Sequence, residues 1–327
     1  MRVILSTTEA LTPTCIALGN FDGIHRGHQR VISPAVAQAR TFSQSPRAVP
    51  KGDRRSPSSR VYATVVTFDP HPREFFSGNP QHLLTPLGEK QEILAQCGIE
   101  QLILLSFDRE LAALTPQEFV AEILVKQLQT QSISVGADFS FGRDRSGNAE
   151  DLKAIAQTFG IKVHITPLCL EADTRVSSSA IREALAAGKI SYANQLLGRP
   201  YRLRGVVVHG QKLGRTIGFP TANLDISHNK FLPKYGVYAV RVSGDVLSTP
   251  QWGILNIGCR PTVTHTARPT VEVHLLDHHQ DLYEAALEVD LLHYLRPEQK
   301  FSSLQALQTQ IHQDGDRART LLTPSSK

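Results

Sequence analysis

The sequence predicts an α/β domain with a parallel sheet, followed by an all-β domain closed by one terminal helix. Three observations predict it. In the first half, short apolar runs alternate with amphipathic stretches, the pattern of a parallel sheet with helices on both faces. After Gly198-Arg199-Pro200, strand-like runs are joined by Gly- and Pro-rich turns, which suits a small antiparallel barrel or sandwich. The 327 residues, 41% of them hydrophobic, suffice for a core in each of two domains. The boundary falls near residues 186–199, so the domains are 1–186 and 187–323.

The strands expected in the first domain are Thr14–Leu18, Ala63–Phe68, Gln101–Phe107, Ser132–Ala137 and Lys162–Thr166. The helices are Gly27–Arg40, Leu87–Cys97, Pro116–Leu128, Glu150–Phe159 and Ser179–Ala187. Thr115-Pro116-Gln117-Glu118 reads as a capping box with proline at the first helical position. Gly188 marks a helix C-terminus. Pro34 falls inside the first helix and is expected to kink it or end it early. In the second domain the expected strands are Tyr201–Val208, Gly236–Val242, Gln251–Ile257 and Thr270–Leu276, and Ser302–Gln313 is the closing helix.

The net charge of +5 does not spread over a folded face. Arg47, Lys51, Arg54, Arg55 and Arg60, against Asp53 alone, place most of it in the Ser/Pro-rich stretch 41–60, which reads as a mobile surface insertion. No basic platform interleaved with aromatics follows from this, so nucleic acid is not an expected partner. Cys15, Cys97, Cys169 and Cys259 lie far apart with no C-x-x-C pair, which argues against a zinc site or a disulfide framework. There is no apolar leader and no run of 18 apolar residues, so the expectation is a soluble cytoplasmic protein without a membrane partner. The sequence assigns no oligomeric state.

Residues 17–28, Ala-Leu-Gly-Asn-Phe-Asp-Gly-Ile-His-Arg-Gly-His, carry the most chemistry. A strand runs into a Gly/Asn/Asp-rich turn and then into His25-x-Gly27-His28 where a helix begins. Glycines let backbone approach phosphates, and free N–H groups at a helix start attract anions. Two imidazoles supply donors where charge builds on an α-phosphate. The pattern resembles that of nucleotidyltransferases that transfer a nucleoside monophosphate and release pyrophosphate. Three further stretches lie at strand ends or a helix start: Thr67-Phe68-Asp69-Pro70-His71-Pro72, Gly136-Ala137-Asp138-Phe139-Ser140-Phe141-Gly142, and Ser177-Ser178-Ser179-Ala180-Ile181-Arg182.

The second domain has its own signature in 209–223, with Gly210, Gly214 and Gly218 for close approach to phosphates and Lys212 and Arg215 for charge. Thr221 and Asn223 offer neutral oxygens suited to Mg²⁺ that keeps several waters and bridges to phosphates. In Thr270–Asp277, period two puts Val271, Val273 and Leu275 on one face and Glu272 and His274 on the other.

In order along the chain, G-N-F-D-G-I-H-R-G-H, T-F-D-P-H-P, G-A-D-F-S-F-G and V-S-S-S-A-I-R resemble the adenylyltransferase module of the prokaryotic bifunctional riboflavin kinase/FAD synthetase family. G-R-T-I-G-F-P-T-A-N, L-P-K-Y-G-V-Y, N-I-G-C-R-P-T, V-E-V-H-L-L-D and L-R-P-E-Q-K-F resemble its kinase module. The resemblance implies a Rossmann-like first domain, an FMN adenylyltransferase, and a six-stranded β-barrel second domain, a riboflavin kinase. It implies ATP as co-substrate, Mg²⁺, and riboflavin, FMN and FAD as substrates or products. It places Gly19, Asn20, Phe21, Asp22, His25 and His28 at the ATP phosphates, completed by Asp138, Ser177, Ser178 and Arg182. In the kinase it gives Mg²⁺ to Thr221 and Asn223, the general base to Glu272, and the flavin end to Arg296.

Three departures stand out: the 41–60 insertion, Ser179 where the family often has Thr, and Glu284 where it usually has Gly. If that glycine serves a positive-φ turn, Glu284 strains it. Other readings are a nucleotidyltransferase with another acceptor, a flavin-binding protein with decayed sites, and nucleic-acid binding through the insertion. The P-T-A-N loop with Glu272 argues against the first, and the intact His25, His28, Thr221, Asn223 and Glu272 against the second. The weak, salt-sensitive attraction of one basic segment argues against the third.

Overall fold

The computed structural model describes residues 1–44, 60–209, 218–259, 269–277 and 282–322. The chain divides into two compact units, Met1–Ser178 and Ser179–Lys327.

The strands of the first unit are β1 (Arg2–Ile4), β2 (Thr14–Leu18), β3 (Tyr62–Asp69), β4 (Gln101–Ser106), β5 (Thr130–Gly136), the short pair β6 (Ser140–Phe141) and β7 (Gly147–Asn148), β8 (Lys162–Thr166), and the hairpin β9 (Leu170–Glu171) and β10 (Thr174–Arg175). Six of them form one parallel sheet in the order β1-β4-β3-β2-β5-β8. The chain walks outward through β3 and β4, then returns to the other side of β2, so the order reverses between β2 and β5. Open parallel sheets bind ligands at the carboxyl ends of strands flanking such a reversal.

β2 shows why both faces are covered. Period two sends Ile16 and Leu18 into one core with Val120, Leu124 and Ile133, and Cys15 and Ala17 into the other with Val31, Ile32 and Val36. The helices of this unit are α1 (Arg26–Gln44), α2 (Pro72–Ser77), α3 (Leu87–Gln96), α4 (Arg109–Ala113), α5 (Pro116–Glu118) and α6 (Ala149–Thr158). The capping box at Thr115 and Glu118 is formed as expected, but the helix continues through Phe119–Gln127 as a π-helix. Pro34 does not end α1, which runs on to Gln44. Its apolar stripe, Val31, Ile32, Ala35, Val36 and Ala39, is buried on both sides of the proline, and that packing outweighs one lost backbone hydrogen bond. Most of the 41–60 insertion lies outside the described residues.

The second unit opens within α7 (Ser178–Ala186), which ends before Gly188 at φ 77°, and continues with α8 (Ile190–Leu197). Its strands β11 (Tyr201–Val208), β12 (Ala222–Ile226), β13 (Gly236–Gly244), β14 (Gln251–Cys259), β15 (Pro269–Leu275) and β16 (Ala286–Arg296) close a barrel in the order β11-β12-β15-β14-β13-β16. The helix α9 (Leu304–Leu322) packs Ala318 and Leu322 with Val237, Ala239 and Ile254.

The sequence reading misses β1, β12 and β16, the short strands β6, β7, β9 and β10, and the helices α2, α4 and α8, and it ends the last helix nine residues early, at Gln313 instead of Leu322. β16 hides because its outward residues are charged. Leu287, Val289 and Leu291 are fully buried, while Asp290 is buried only because Arg202 Nε (2.7 Å) and Arg241 Nη2 (2.8 Å) donate to it from the neighbouring strands.

Candidate active sites

The first site grows from the turn after β2. Gly19 N–H still bonds to Val66 of β3 (3.2 Å), and the chain then turns sharply. Phe21 (φ 48°) and Ile24 (φ 41°) lie in the left-handed region, where bulky side chains are rarely found, with Gly23 (φ 88°) between them. Such backbone costs of order 1–3 kcal/mol per residue and persists where the surroundings over-determine it. Here they do. Phe21 and Ile24 are fully buried, and the buried carboxylate of Asp22 accepts N–H bonds from Leu84 (3.2 Å) and Thr85 (3.1 Å). Thr85 Oγ1 in turn accepts from Gly23 N–H at 2.9 Å.

That turn delivers two histidines to the start of α1. His25 is buried and its Nδ1 accepts the N–H of His28 at 3.2 Å, capping the helix. The two imidazoles stack with centroids 3.6 Å apart and planes 15° apart. Gly27 leaves room for the His25 ring, since a Cβ there would sit 3.1 Å from it, tighter than an ordinary contact. Phe21 packs edge-on to His28 at 5.2 Å.

Asn20 is exposed, but its carbonyl accepts from Thr67 Oγ1 (3.1 Å) and from Lys90 Nζ (3.2 Å). Ser178 Oγ donates to the Asp22 carbonyl at 2.8 Å, which brings the Ser177–Ser178 segment against the same turn. Across the strand-order reversal, at the end of β5, Asp138 is half-exposed and paired with Arg175 of β10, and Phe139 stacks on Phe141 at 5.6 Å. The structure thus gathers Gly19–His28, Asp138, Ser177 and Ser178 at the carboxyl edge of one sheet. Arg182 belongs to the second unit, with its guanidinium carbon 5.9 Å from the Phe231 ring centroid. Lys90 and Arg175 are additions that the sequence reading passed over.

The second site is a row of residues around the barrel. Register pairs Asn223 of β12 with Glu272 of β15, Glu272 with Asn256 of β14, Asn256 with Val237 of β13, and Val237 with Arg296 of β16. Directly opposed residues share a face, so Glu272 stands between two side-chain amides. Two residues along, His274 Nδ1 lies 2.8 Å from the carbonyl of Pro220, a distance at which its N–H donates, and its ring meets Phe219 edge-on at 5.4 Å. His312 of α9 also meets Phe219 edge-on, at 4.7 Å. These contacts tie the segment leading into Thr221 to β15 and α9. Gly218 enters that loop at φ 83°. Gly210, Lys212, Gly214 and Arg215 lie outside the described residues.

Arg296 is engaged by Asp314 of α9, with Nε at 3.0 Å and Nη2 at 2.8 Å. Asn256 Nδ2 reaches Glu298 at 3.5 Å. Asn256 is the residue in this site that the sequence does not single out, although its motif N-I-G-C-R-P-T was among those that resembled the family. Glu284 does occupy a left-handed position, φ 65°, as its family glycine would suggest, and its N–H bonds to Val207 at 3.0 Å. Among the described residues no group of three His, Cys, Asp or Glu side chains could hold a metal ion.

Two family models match the chain: FAD synthetase over residues 7–180 and riboflavin kinase over 197–322. The bifunctional riboflavin kinase/FMN adenylyltransferase of Escherichia coli K12 is 39% identical over 98% of this chain and 96% of its own length. The chain belongs to that family. The protein of the same description from Pseudomonas fluorescens is 41% identical over 95% of this chain and 94% of its own. A crystal structure of a Streptococcus pneumoniae protein described as a macrolide-efflux protein is 32% identical, covers 97% of this chain and 98% of that one, and has a TM-score of 0.81. No helix among the described residues is long and apolar enough to cross a membrane. The chain is an enzyme with an FAD synthetase module and a riboflavin kinase module.

Proposed function

We propose that the two modules act in sequence through the residues gathered at the two sites. In the barrel, riboflavin and ATP give FMN and ADP. The ribityl 5′-hydroxyl oxygen attacks the γ-phosphorus as Glu272 takes its proton, and ADP leaves. In the α/β module, a phosphate oxygen of FMN attacks the α-phosphorus of a second ATP, and pyrophosphate leaves. Neither step needs a covalent enzyme intermediate, because positioning and charge neutralisation carry phosphoryl and nucleotidyl transfer.

The observation that carries the kinase reading is the pairing of Asn223 with Glu272, which sets a base beside a neutral oxygen donor. Thr221 and Asn223 offer the hard oxygen donors that Mg²⁺ takes while keeping several waters, so the donor set fits that ion. When bound, Mg²⁺ would neutralise phosphate charge. Gly210, Lys212, Gly214, Arg215 and Gly218 would line the phosphates. Arg296 lies three strands from Glu272 around the barrel, apart from the base, which suits the flavin end.

In the first site, Gly19, Asn20 and Phe21 would present the turn to the ATP phosphates, with Asp22 anchoring it. His25 and His28 would donate to the charge that develops on the transferring phosphate. Asp138, Ser177 and Ser178 would complete the nucleotide's surroundings. The V-S-S-S-A-I-R motif resembles the adenylyltransferase module, so residues 1–186 are assigned to the adenylyltransferase and 187–323 to the kinase. Small molecules are the expected partners, in a cytoplasmic setting.

The test is incubation of the protein with riboflavin, ATP and Mg²⁺, followed by chromatographic separation of the flavins. FMN and FAD should both appear, and a chelator in excess over Mg²⁺ should suppress both. Absence of either flavin in the Mg²⁺ reaction contradicts the reading.

A further inference from the structure

Lys90 is a lysine where a lysine is expensive. It lies on α3 and is only 8% exposed, although Lys is almost never fully buried unless something compensates it. Its ammonium is directed at the turn after β2, where Nζ donates to the Asn20 carbonyl at 3.2 Å. Two carboxylates act on it from separate elements, Asp22 in the turn and Asp69 at the end of β3. Burial pushes the ammonium below the usual lysine range, and the two carboxylates, Asp22 first, oppose that shift.

The second donor to the Asn20 carbonyl, Thr67 Oγ1 at 3.1 Å, comes from β3. One carbonyl is therefore held from α3 and from β3 at once, while the Asn20 side chain stays exposed at the carboxyl edge of the sheet. A buried helix lysine aimed at a backbone oxygen does little for packing that methionine could not do. What it supplies is a fixed charge beneath a turn whose backbone is strained at Phe21 and Ile24.

We propose that Lys90 is a positioning residue for adenylyl transfer, acting through the Asn20 carbonyl to set the turn that faces the nucleotide phosphates. This rests on the assignment of that turn to the adenylyltransferase. A misplacement of about 1 Å at a reacting centre can cost up to ~100-fold in rate, so replacing this cation should be felt in kcat.

The experiment uses the full chain and its Lys90→Met variant, with FMN-to-FAD and riboflavin-to-FMN rates measured on the same preparations and folding checked by thermal unfolding. Folded Lys90→Met should lose about 10–100-fold in kcat for FAD formation, with FMN formation unchanged. The parent should lose FAD formation on the alkaline side, as Lys90 discharges beside Asp22 and Asp69, and the variant should lack that limb. A merely structural part would lower the rate in step with the folded fraction and leave the pH profile alone, which overturns the proposal. So does a folded variant with parent-like FAD formation. If Lys90→Met does not fold, Thr67→Val decides: a loss of about 3–10-fold restored in Thr67→Ser supports positioning through the carbonyl, and parent-like rates in Thr67→Val overturn it. A parent protein that makes FMN but no FAD would instead sink the site assignment beneath the proposal.

Discussion

His28 stands one helical turn from His25, stacked on it and held edge-on by Phe21, so its ring is oriented before any substrate arrives. His28→Ala should therefore lower FAD formation by ~100–1,000-fold, the usual cost of one lost donor to a phosphoryl transition state. FMN should still accumulate from riboflavin, because that reaction is assigned to the barrel. The pair is legible in the sequence since a spacing of three is local and needs no tertiary information. Lys90 is not legible, since a lysine in an amphipathic helix reads as solvent-facing until packing is known. Glu284 falls between the two. Its departure from a family glycine raises the question of strain, and φ 65° answers it. Left-handed backbone costs a non-glycine residue about 1–2 kcal/mol, part of which glycine loses again as chain entropy. Glu284→Gly should raise stability by about 0.5–1 kcal/mol, seen as a higher urea midpoint at unchanged slope. A lower midpoint would show that the Glu284 side chain contributes more than its backbone costs.

At the scale of elements, the strands best read from the sequence are those with uniform or cleanly alternating apolar character. β2 is buried at every position, and β15 alternates as period two requires. β16 is lost because Asp290 breaks the pattern, and only the cross-strand guanidinium groups of Arg202 and Arg241 make an aspartate tolerable there. α1 is extended past the expected stop because burial of its stripe decides more than Pro34 does. Where α1 ends, the chain is tied to β3: Ser43 Oγ accepts from Val61 N–H at 2.9 Å and donates to the Val61 carbonyl at 3.2 Å. The two flanks of the basic insertion are thus adjacent, and a short connection can join them. Replacing residues 45–59 with a short Gly/Ser turn should leave both activities within about two-fold of the parent, since loop closure depends only weakly on length. Loss of folding or of either activity, measured in the same two flavin assays, would show that the segment packs or serves a site.

For the whole molecule, the order of motifs along the chain is enough to reveal two modules, because each module keeps its own motifs contiguous in sequence. The make-up of the kinase site is harder to read. Asn223, Asn256 and Glu272 come from three strands and meet only through barrel register, so the place of Asn256 beside Glu272 emerges from pairing rather than spacing. One chain is expected to carry two separable chemistries, the first dependent on Glu272. Glu272→Gln tests it most directly, in two assays on one preparation, one started from riboflavin and one from FMN. The substitution keeps shape and hydrogen bonding but removes basicity and charge, and a positioned base contributes about 100–10,000-fold. Riboflavin should bind but yield almost no FMN, while supplied FMN should become FAD at close to the parent rate. Near-normal FMN formation from riboflavin, or a parallel loss of both activities in folded protein, would contradict it.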